Sequence, residues 1–555
     1  MRTDHRGVVL PALCAALLTA CTAGGGPVRP QEAGITDLGV VARDRIGDGG
    51  TLRWPVPELP RQWNFNQVNG MSGVADTVLR AVLPYPMRTA ADGTAAPDPD
   101  YLLSARIIAK RPRQVVRYRL NPKARWSDGT SLGFRDFAAQ ARALSGRAGG
   151  FRIASDSGYR QITKVARGRS DDEVVVTFRQ PFADWRALFT PLYPASANTT
   201  SRAFNGGWTG RIPVTAGPFR VARFDAAAQT VRLTRDPSWW GRPAKLDAIE
   251  FRALDPAATA GAFANGEVDL LDIGTDAAAL RRARSVPGAV IRRAAGPDWR
   301  QITLNAGGTA LADVRVRRAV FLSIDRALLA ESALKDLGWP ARTLDNHFYM
   351  NGQLGYRDTS GGLGLPDPGR AARLLEEAGW RLSDGRRVRK GAELRLRYLV
   401  PAGVTASADE ARLVAEMLRR AGIGTELVTV PQDQLIDRYV VPGAFDLAAF
   451  AWLGTPHPAS SMRSVFARPS GSDLRQNFAR AGSARIDRLL DAAGRELDPE
   501  RAARLVGEAD ALVWREAGVL PLYQRPQLVA VRKGLAGVGA AGLLDLAYPD
   551  LGFTR

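Results

Sequence analysis

The chain has 555 residues, with 45% apolar and 24% charged side chains. That length accommodates roughly two to four domains, and the apolar fraction excludes a wholly disordered or low-complexity protein. Lys and Arg number 76 against 56 Asp and Glu, but only seven of the 76 are lysine. An arginine excess spread this evenly along the chain reflects base composition more than a binding device. Three histidines and two cysteines (Cys14, Cys21) exclude a conventional zinc or iron-sulfur site. No metal and no cofactor is therefore expected.

The amino terminus reads as an address. Arg2 and Arg6 form a basic start, residues 8–18 an apolar stretch, and Leu18-Thr19-Ala20-Cys21 has the form of a lipoprotein signal-peptidase site. The apolar stretch is about half of what a hydrocarbon core of ~30 Å requires, so a retained membrane helix is not expected. Cleavage before Cys21 leaves its thiol for a diacylglyceryl group, and two or three acyl chains hold a protein stably at a membrane. The alternative is an ordinary secretory signal in which Cys21 happens to follow Ala20. Residues 1–20 are thus a signal peptide and 21–48 a tether, with Gly, Pro and Ala concentrated over 22–35. Both cysteines lie at or before the cleavage point, so core burial alone must hold the mature fold. Basic clusters at 110–119 and 386–390 lie in or beside strand-like stretches and read as solvated faces, so no nucleic-acid partner is expected.

Further along, strands and helices first mix without a strict alternation. Gly49-Gly50 leads into a strand, residues 115–120 alternate as a second, and Trp126-Ser127-Asp128-Gly129-Thr130 is a turn before a helix over 134–144. Residues 173–178 are β-branched, 219–233 read as a hairpin, and the strand 246–251 precedes a helix over 256–265. The second half alternates more regularly. A strand over 393–400 is followed by Ser407 and Glu410, read as a capping box opening a helix whose apolar stripe is Leu413, Val414, Met417 and Leu418 and whose end is Gly422. A parallel strand over 425–430 completes that crossover. Asp498 and Pro499 open a last helix with Leu505, Ala509, Leu512 and Val513 inward, ending before Gly518.

No nucleophile elbow, zinc-protease helix or phosphate-binding loop motif occurs. Gly537-Val538-Gly539-Ala540-Ala541-Gly542 matches the dinucleotide fingerprint formally, but too little chain follows it for a helix and strand, so it reads as a loop. His347 and His457 sit near no recognisable serine nucleophile, and His347 reads as a packed, hydrogen-bonded residue. An enzyme is not expected, and catalytic residues are none.

Seven phrases occur in order: Gly49-Gly50-Thr51-Leu52-Arg53; the run 118–130 from Tyr118 to Thr130; Val214-Thr215-Ala216-Gly217-Pro218-Phe219; Asp236-Pro237-Ser238-Trp239-Trp240-Gly241; Asn265-Gly266-Glu267-Val268-Asp269; Asp313-Val314-Arg315-Val316-Arg317-Arg318-Ala319; and Ile324-Asp325-Arg326. In this succession the chain resembles the extracytoplasmic solute-binding proteins of ABC importers, family 5, the oligopeptide, dipeptide and nickel type, in an actinobacterial lipoprotein branch. The resemblance implies an α/β class II periplasmic-binding-protein fold, two lobes around a hinge with an extra inserted α+β domain. It implies lobe I from 49–83, 191–292 and 521–555, inserted domain II over 84–190, and lobe III over 293–520. It also implies a monomer, anchored on the extracytoplasmic face of the cell membrane, that hands a peptide-like or other small polar solute such as a glycan to a membrane permease. A second implication is a non-transport surface lipoprotein of the same fold regulating cell-envelope glycolipid assembly.

Ligand in such a fold sits between lobes that close by a hinge. The resemblance places it against Trp63, Asn64, Asn66, Gly217, Asn305, Trp452, Gly454, Thr455 and His457. The stretch Trp452-Leu453-Gly454-Thr455-Pro456-His457 lacks the aspartate with which peptide-binding members pair a peptide's ammonium, and Trp63-Asn64-Phe65-Asn66 stands where many carry a Leu-Asp-Pro turn. Amide and indole groups suit neutral polar ligands. The alternative for Trp63 and Trp452 is that they pack the hinge.

Overall fold

The computed structural model describes residues 34–308, 310–471 and 473–555. The signal segment, Cys21 and the tether up to residue 33 lie outside the described residues. From Gly34 onward the expected tether is not free chain. Asp37 exchanges backbone hydrogen bonds with Ala540 at 2.7 and 2.9 Å, Gly34 accepts from Ala295 at 3.1 Å, and Leu38 and Ile46 are buried. The Gly/Pro-rich signal stops near Ile35, and beyond it apolar residues are regular enough to dock.

The first part is built on Thr51–Val56, which runs parallel to Ala248–Ala253 and is continued antiparallel by Thr230–Arg235 and Phe219–Asp225. Between the first strand and the hairpin lies an antiparallel sheet in the order Leu102–Ala109, Val115–Leu120, Glu173–Phe178, Ile162–Arg167. Alternation places Val116, Tyr118, Leu120, Val174, Val176 and Phe178 inward. Their aromatic neighbours Phe137 and Phe189 meet with ring centroids 4.5 Å apart. The inserted sheet does not form a core of its own: its inner face is continuous with Leu52, Ile249 and Phe251 of the first sheet.

The later part centres on six strands in the order Leu270–Asp272, Val519–Arg532, Ala289–Leu304, Leu447–Leu453, Arg395–Pro401, Gly424–Val430. The last three are mutually parallel, and the helix Thr405–Arg420 crosses between Arg395–Pro401 and Gly424–Val430. Gly422, at φ 81°, ends that helix as its sequence position predicts. The helix begins differently. Its N-cap is Val404 without a side-chain bond, and Ser407 and Glu410 face inward. Arg300 is the reason: its Nη2 and Nε donate to Glu410 at 2.8 and 3.0 Å, and Nη2 also reaches Ser407 Oγ at 3.1 Å. A partner more than a hundred residues upstream turns what reads as a capping box into a buried, two-pronged ion pair.

Two long strands tie the parts together. Ala289–Leu304 pairs with Val519–Arg532 antiparallel over nearly its whole length, with register breaks between Ala295 and Trp299 and between Arg300 and Gln301. On the second strand Val529 and Val531 belong to the first core, while Leu528 and Ala530 belong to the second. The expected lobe limits at 292/293 and 520/521 therefore fall inside strands, because each of these strands supplies one face to each core. The last helix, Pro499–Glu516, is capped by Asp498 as predicted, but its left-handed end residue is Ala517 (φ 50°), not Gly518. The loop reading of 537–542 agrees with the structure, where Gly537 and Gly542 take φ of 78° and 58° after a two-residue strand.

The Arg300–Glu410 pair yields a stability prediction. Glu410→Ala should lower stability by about 3 kcal/mol, since it strands a buried guanidinium, whereas Arg300→Met/Glu410→Leu should recover most of the loss. Thermal midpoints of the three chains followed by circular dichroism check this, and equal midpoints for the single and double variants would refute it.

Candidate functional site

A cavity of about 790 Å³ opens between the first part and the later part. One wall comes from the loop with Phe65, Asn66 and Met71 and from residues 154–161 and 180–190 of the inserted segment. The other comes from residues 459–464, Arg475 and the end of the helix Ala484–Ala493 with Gly494 and Arg495. The two parts touch directly beside the cavity. Ala183 N donates to Gly494 O at 2.8 Å, Ser460 N donates to Asp184 Oδ2 at 2.8 Å, and Leu354 N donates to Asp92 O at 3.0 Å. Contacts of this kind, few and polar, are what a closing cleft makes and breaks.

Three polar side chains on the cavity wall carry an atom hidden from solvent with no protein partner: Asn66 Nδ2, Gln161 Oε1 and Thr190 Oγ1. Each such atom costs about 1–3 kcal/mol while unpaired. All three stand beside a space large enough for a ligand, and a solute or the small side-chain rotation it induces would satisfy them.

Of the expected ligand residues, Asn66 lines this cavity. Trp63 is enclosed in the first core: its N donates to Trp208 O at 3.0 Å, its carbonyl accepts from Tyr193 OH at 2.7 Å, and its indole packs on Phe224 at 5.7 Å. Asn64 gives Nδ2 to Phe204 O at 2.9 Å and accepts from Asn66 N at 3.2 Å, so its amide braces the loop. Gly217 lets the chain pass the helix Gly73–Val82, where an added Cβ would lie 2.5 Å from Ala81 O. Asn305 bonds Gly443 O and Phe445 O at 3.1 and 2.9 Å and accepts from Gly307 N. The Asn64 and Asn305 amides are bonded within the fold, Trp63 packs in the first core and Gly217 gives the chain room to pass, and none of the four lines the cavity. No linear motif separates an amide that braces a loop from one that waits for a ligand.

The stretch from Trp452 lies beside the cavity rather than in its wall. Trp452 stacks on Phe478 at 5.7 Å with planes 12° apart, and its Nε1 is buried without a hydrogen-bond partner. Gly454 N donates to Pro297 O at 2.6 Å, and a Cβ there would lie 2.8 Å from Met350. Thr455 O accepts from Gln353 Nε2 at 2.9 Å, and its Oγ1 accepts from His457 N at 3.0 Å. His457 precedes the short helix Pro458–Ser461, whose Ala459 and Ser460 do face the cavity. Burial pushes the His457 imidazolium below its ordinary range; the nearby Asp184 carboxylate opposes this, and Arg186 adds to it. His347 is fully enclosed, with Nδ1 2.6 Å from Asp510 and Nε2 2.8 Å from Val519 O, a packed hydrogen-bonded histidine as its sequence context suggests.

The residues that sequence reasoning missed are Asp184, Ser460 and Gly494 at the contact between the walls, and Gln161, Thr190 and the arginines 160, 463, 475 and 495 in the wall. They come from stretches some 300 residues apart, and none carries a local motif.

A polar cavity walled by two separate parts of the chain is the kind of space in which a solute is enclosed. The family model for bacterial extracellular solute-binding proteins, family 5 Middle, matches residues 110–473, and the chain belongs to that family. It is 37% identical over 560 residues to the oligopeptide-binding protein OppA of Mycobacterium tuberculosis, covering 99% of this chain and 93% of that one. It is 31% identical over 276 residues to the probable monoacyl phosphatidylinositol tetramannoside-binding protein LpqW of the same species, covering 48% and 43%. Among solved structures, a periplasmic EDTA-binding protein, EppA, superposes with a TM-score of 0.85 at 26% identity over 95% of this chain and 100% of that one. Among the described residues no helix is long and apolar enough to cross a membrane.

The depressed His457 makes a signed prediction. Its folded-state pKa lies below the ordinary value of about 6.5, so the unfolded chain takes up a proton that the folded chain resists, and stability falls as pH drops through that value. His457→Gln should lose less thermal stability between about pH 7 and pH 5 than the parent chain does. Equal losses in the two proteins would show that this imidazole titrates freely.

Proposed function

We propose that the chain is a lipid-anchored extracytoplasmic receptor that takes a peptide-like polar solute into the cavity between its two parts and presents it to an ABC importer. The observation that carries the reading is the cavity of about 790 Å³ whose walls meet at Asp184–Ser460 and Ala183–Gly494. A solute bridging the walls favours the closed arrangement by its differential affinity, and only that arrangement need be recognised by a permease. The whole-length likeness to an oligopeptide-binding protein supports a peptide-like cargo. The shorter likeness to LpqW, spanning about half of each chain, supports the glycolipid-related alternative less. Anchoring through Cys21 and a monomeric working state complete the reading.

Titration of the purified protein with peptide libraries and with mannosides, followed by native mass spectrometry and tryptophan fluorescence, is expected to give saturable binding of a peptide-like solute. Absence of binding by any of these solutes would remove the proposal, and binding of mannosides alone would favour the alternative. Asn66→Leu should weaken binding about tenfold while leaving the thermal midpoint of the unliganded protein unchanged or raised, because Nδ2 has no protein partner to lose. Cys21→Ser should move the protein from the membrane fraction to the soluble fraction of its host and abolish labelling by a radioactive fatty acid.

A further inference from the structure

The charges on the cavity wall do not balance. Asp156 and Asp491 are its acidic residues among those described, and Arg160, Arg463, Arg475 and Arg495 its basic ones. Each carboxylate is already engaged. Asp156 holds Arg160 through its Nε at 2.9 Å, and Asp491 accepts from Arg463 Nε at 2.7 Å. Arg475 Nε makes only a loose ion pair with Asp473, at 3.9 Å and beyond hydrogen-bond reach, and Arg495 has no carboxylate within 4.0 Å among the described residues. Two guanidinium groups thus remain without a hydrogen-bonded carboxylate, both on the wall formed by the later part.

A second hollow, of about 280 Å³, adjoins the first and shares Arg463 and Arg475 with it. Its own carboxylate, Asp487, is taken by Arg468 at 2.8 Å. The excess of positive charge continues across both spaces instead of being cancelled in the second. Arg475 also sits at φ 52°, where a non-glycine residue is held at a cost of about 1 kcal/mol. Asp473 Oδ1 accepts from its backbone N at 3.1 Å and so helps to fix that conformation.

We propose that Arg475 and Arg495 form an anion-binding pole of the cavity, so that the solute taken up carries a carboxylate-bearing, net negative end that lies against the later wall. The inference rests on the cavity being the solute site and names the class of solute that site takes. Guanidinium groups pair with carboxylates through two parallel N–H bonds. With every wall carboxylate already engaged, a cationic group brought into the same space finds no free partner there. A cavity with this balance admits acidic solutes and rejects basic ones of equal size.

The test uses calorimetric titration of the purified protein with length-matched, C-terminally amidated tetrapeptides whose side chains are acidic, neutral or basic, and with citrate and EDTA as polycarboxylates without a peptide bond. The acidic peptides should bind about tenfold more tightly than the neutral ones and the basic ones more weakly still, with the preference shrinking at about 1 M salt, where charges are screened within about 3 Å. Arg475→Gln and Arg495→Gln should each bring acidic peptides down toward the neutral level without changing neutral-peptide affinity, and Arg495→Glu should reverse the order of acidic and basic peptides. Arg281→Gln, outside the cavity wall, should change nothing. If neutral peptides bind and acidic ones are not preferred, or if the arginine variants bind acidic peptides as the parent does, the anion pole is wrong while the solute-binding reading stands. If only citrate or EDTA binds, and the arginine variants lose it, the pole stands and the peptide-like cargo falls. Failure of every one of these solutes to bind overturns both.

Discussion

The antiparallel pairing of Ala289–Leu304 with Val519–Arg532 is the constraint from which the rest of the molecule follows. Successive side chains of a strand point to opposite faces, so a strand shared by two bodies can feed each of them with alternate residues. Val529 and Val531 do this for the first core, Leu528 and Ala530 for the second. A one-residue slip in the pairing would exchange the two sets. The cavity inherits its walls from this arrangement: one is built on the first core and its inserted sheet, the other on helices that form a separate apolar cluster with Trp299 and Val519 of the two strands. The register breaks around Gly296 and Pro297 place the irregular part of the connection near Gly454, whose amide bonds Pro297.

The arginine content of the chain finds a structural use that lysine would not serve. Arg326 is 2% exposed. It nevertheless satisfies its donors with the carbonyls of Gly364, Leu344 and Pro521 and the carboxylate of Asp345, at 2.6 to 2.9 Å. Arg317 does the same with Leu311, Ala312 and Glu516 carbonyls. Five N–H groups in a rigid fork can collect several main-chain acceptors from separate segments, where an ammonium offers three in a compact tetrahedron. Interior arginines of this kind hold loops together, while those on the cavity wall remain free of such carbonyl partners. The same residue type thus serves as an internal brace or stands unbraced at the cavity wall, depending on whether acceptors surround it.

Local structure was legible in the chain wherever a short-range rule governs it. The strands Val115–Leu120 and Glu173–Phe178, the crossover ending at Gly422 and the Asp498 cap follow from alternation, β-branching and capping chemistry. Ser407 and Glu410 were misread because a capping box and a buried ion pair use the same residue types at the same spacing, and only Arg300 distinguishes them. The candidate site was less legible for the same reason. Asn64 and Asn66 are two residues apart and chemically identical. One amide is bound to Phe204 and the other faces a cavity without a partner, a difference set by which backbone carbonyls come near.

The amino-acid sequence by itself determined the period of the elements, the Asp498 cap, and the order of phrases that marks the family, because each of these depends on residues close together in the chain. The tertiary structure alone decided which polar groups are free. Asp184 with Ser460, Ala183 with Gly494, and Arg475 and Arg495, neither hydrogen-bonded to a carboxylate, are brought to or beside one cavity from distant stretches. Whether a charge or an amide is engaged depends on neighbours within hydrogen-bond reach, and those neighbours are assigned by the packing of two cores on a shared pair of strands.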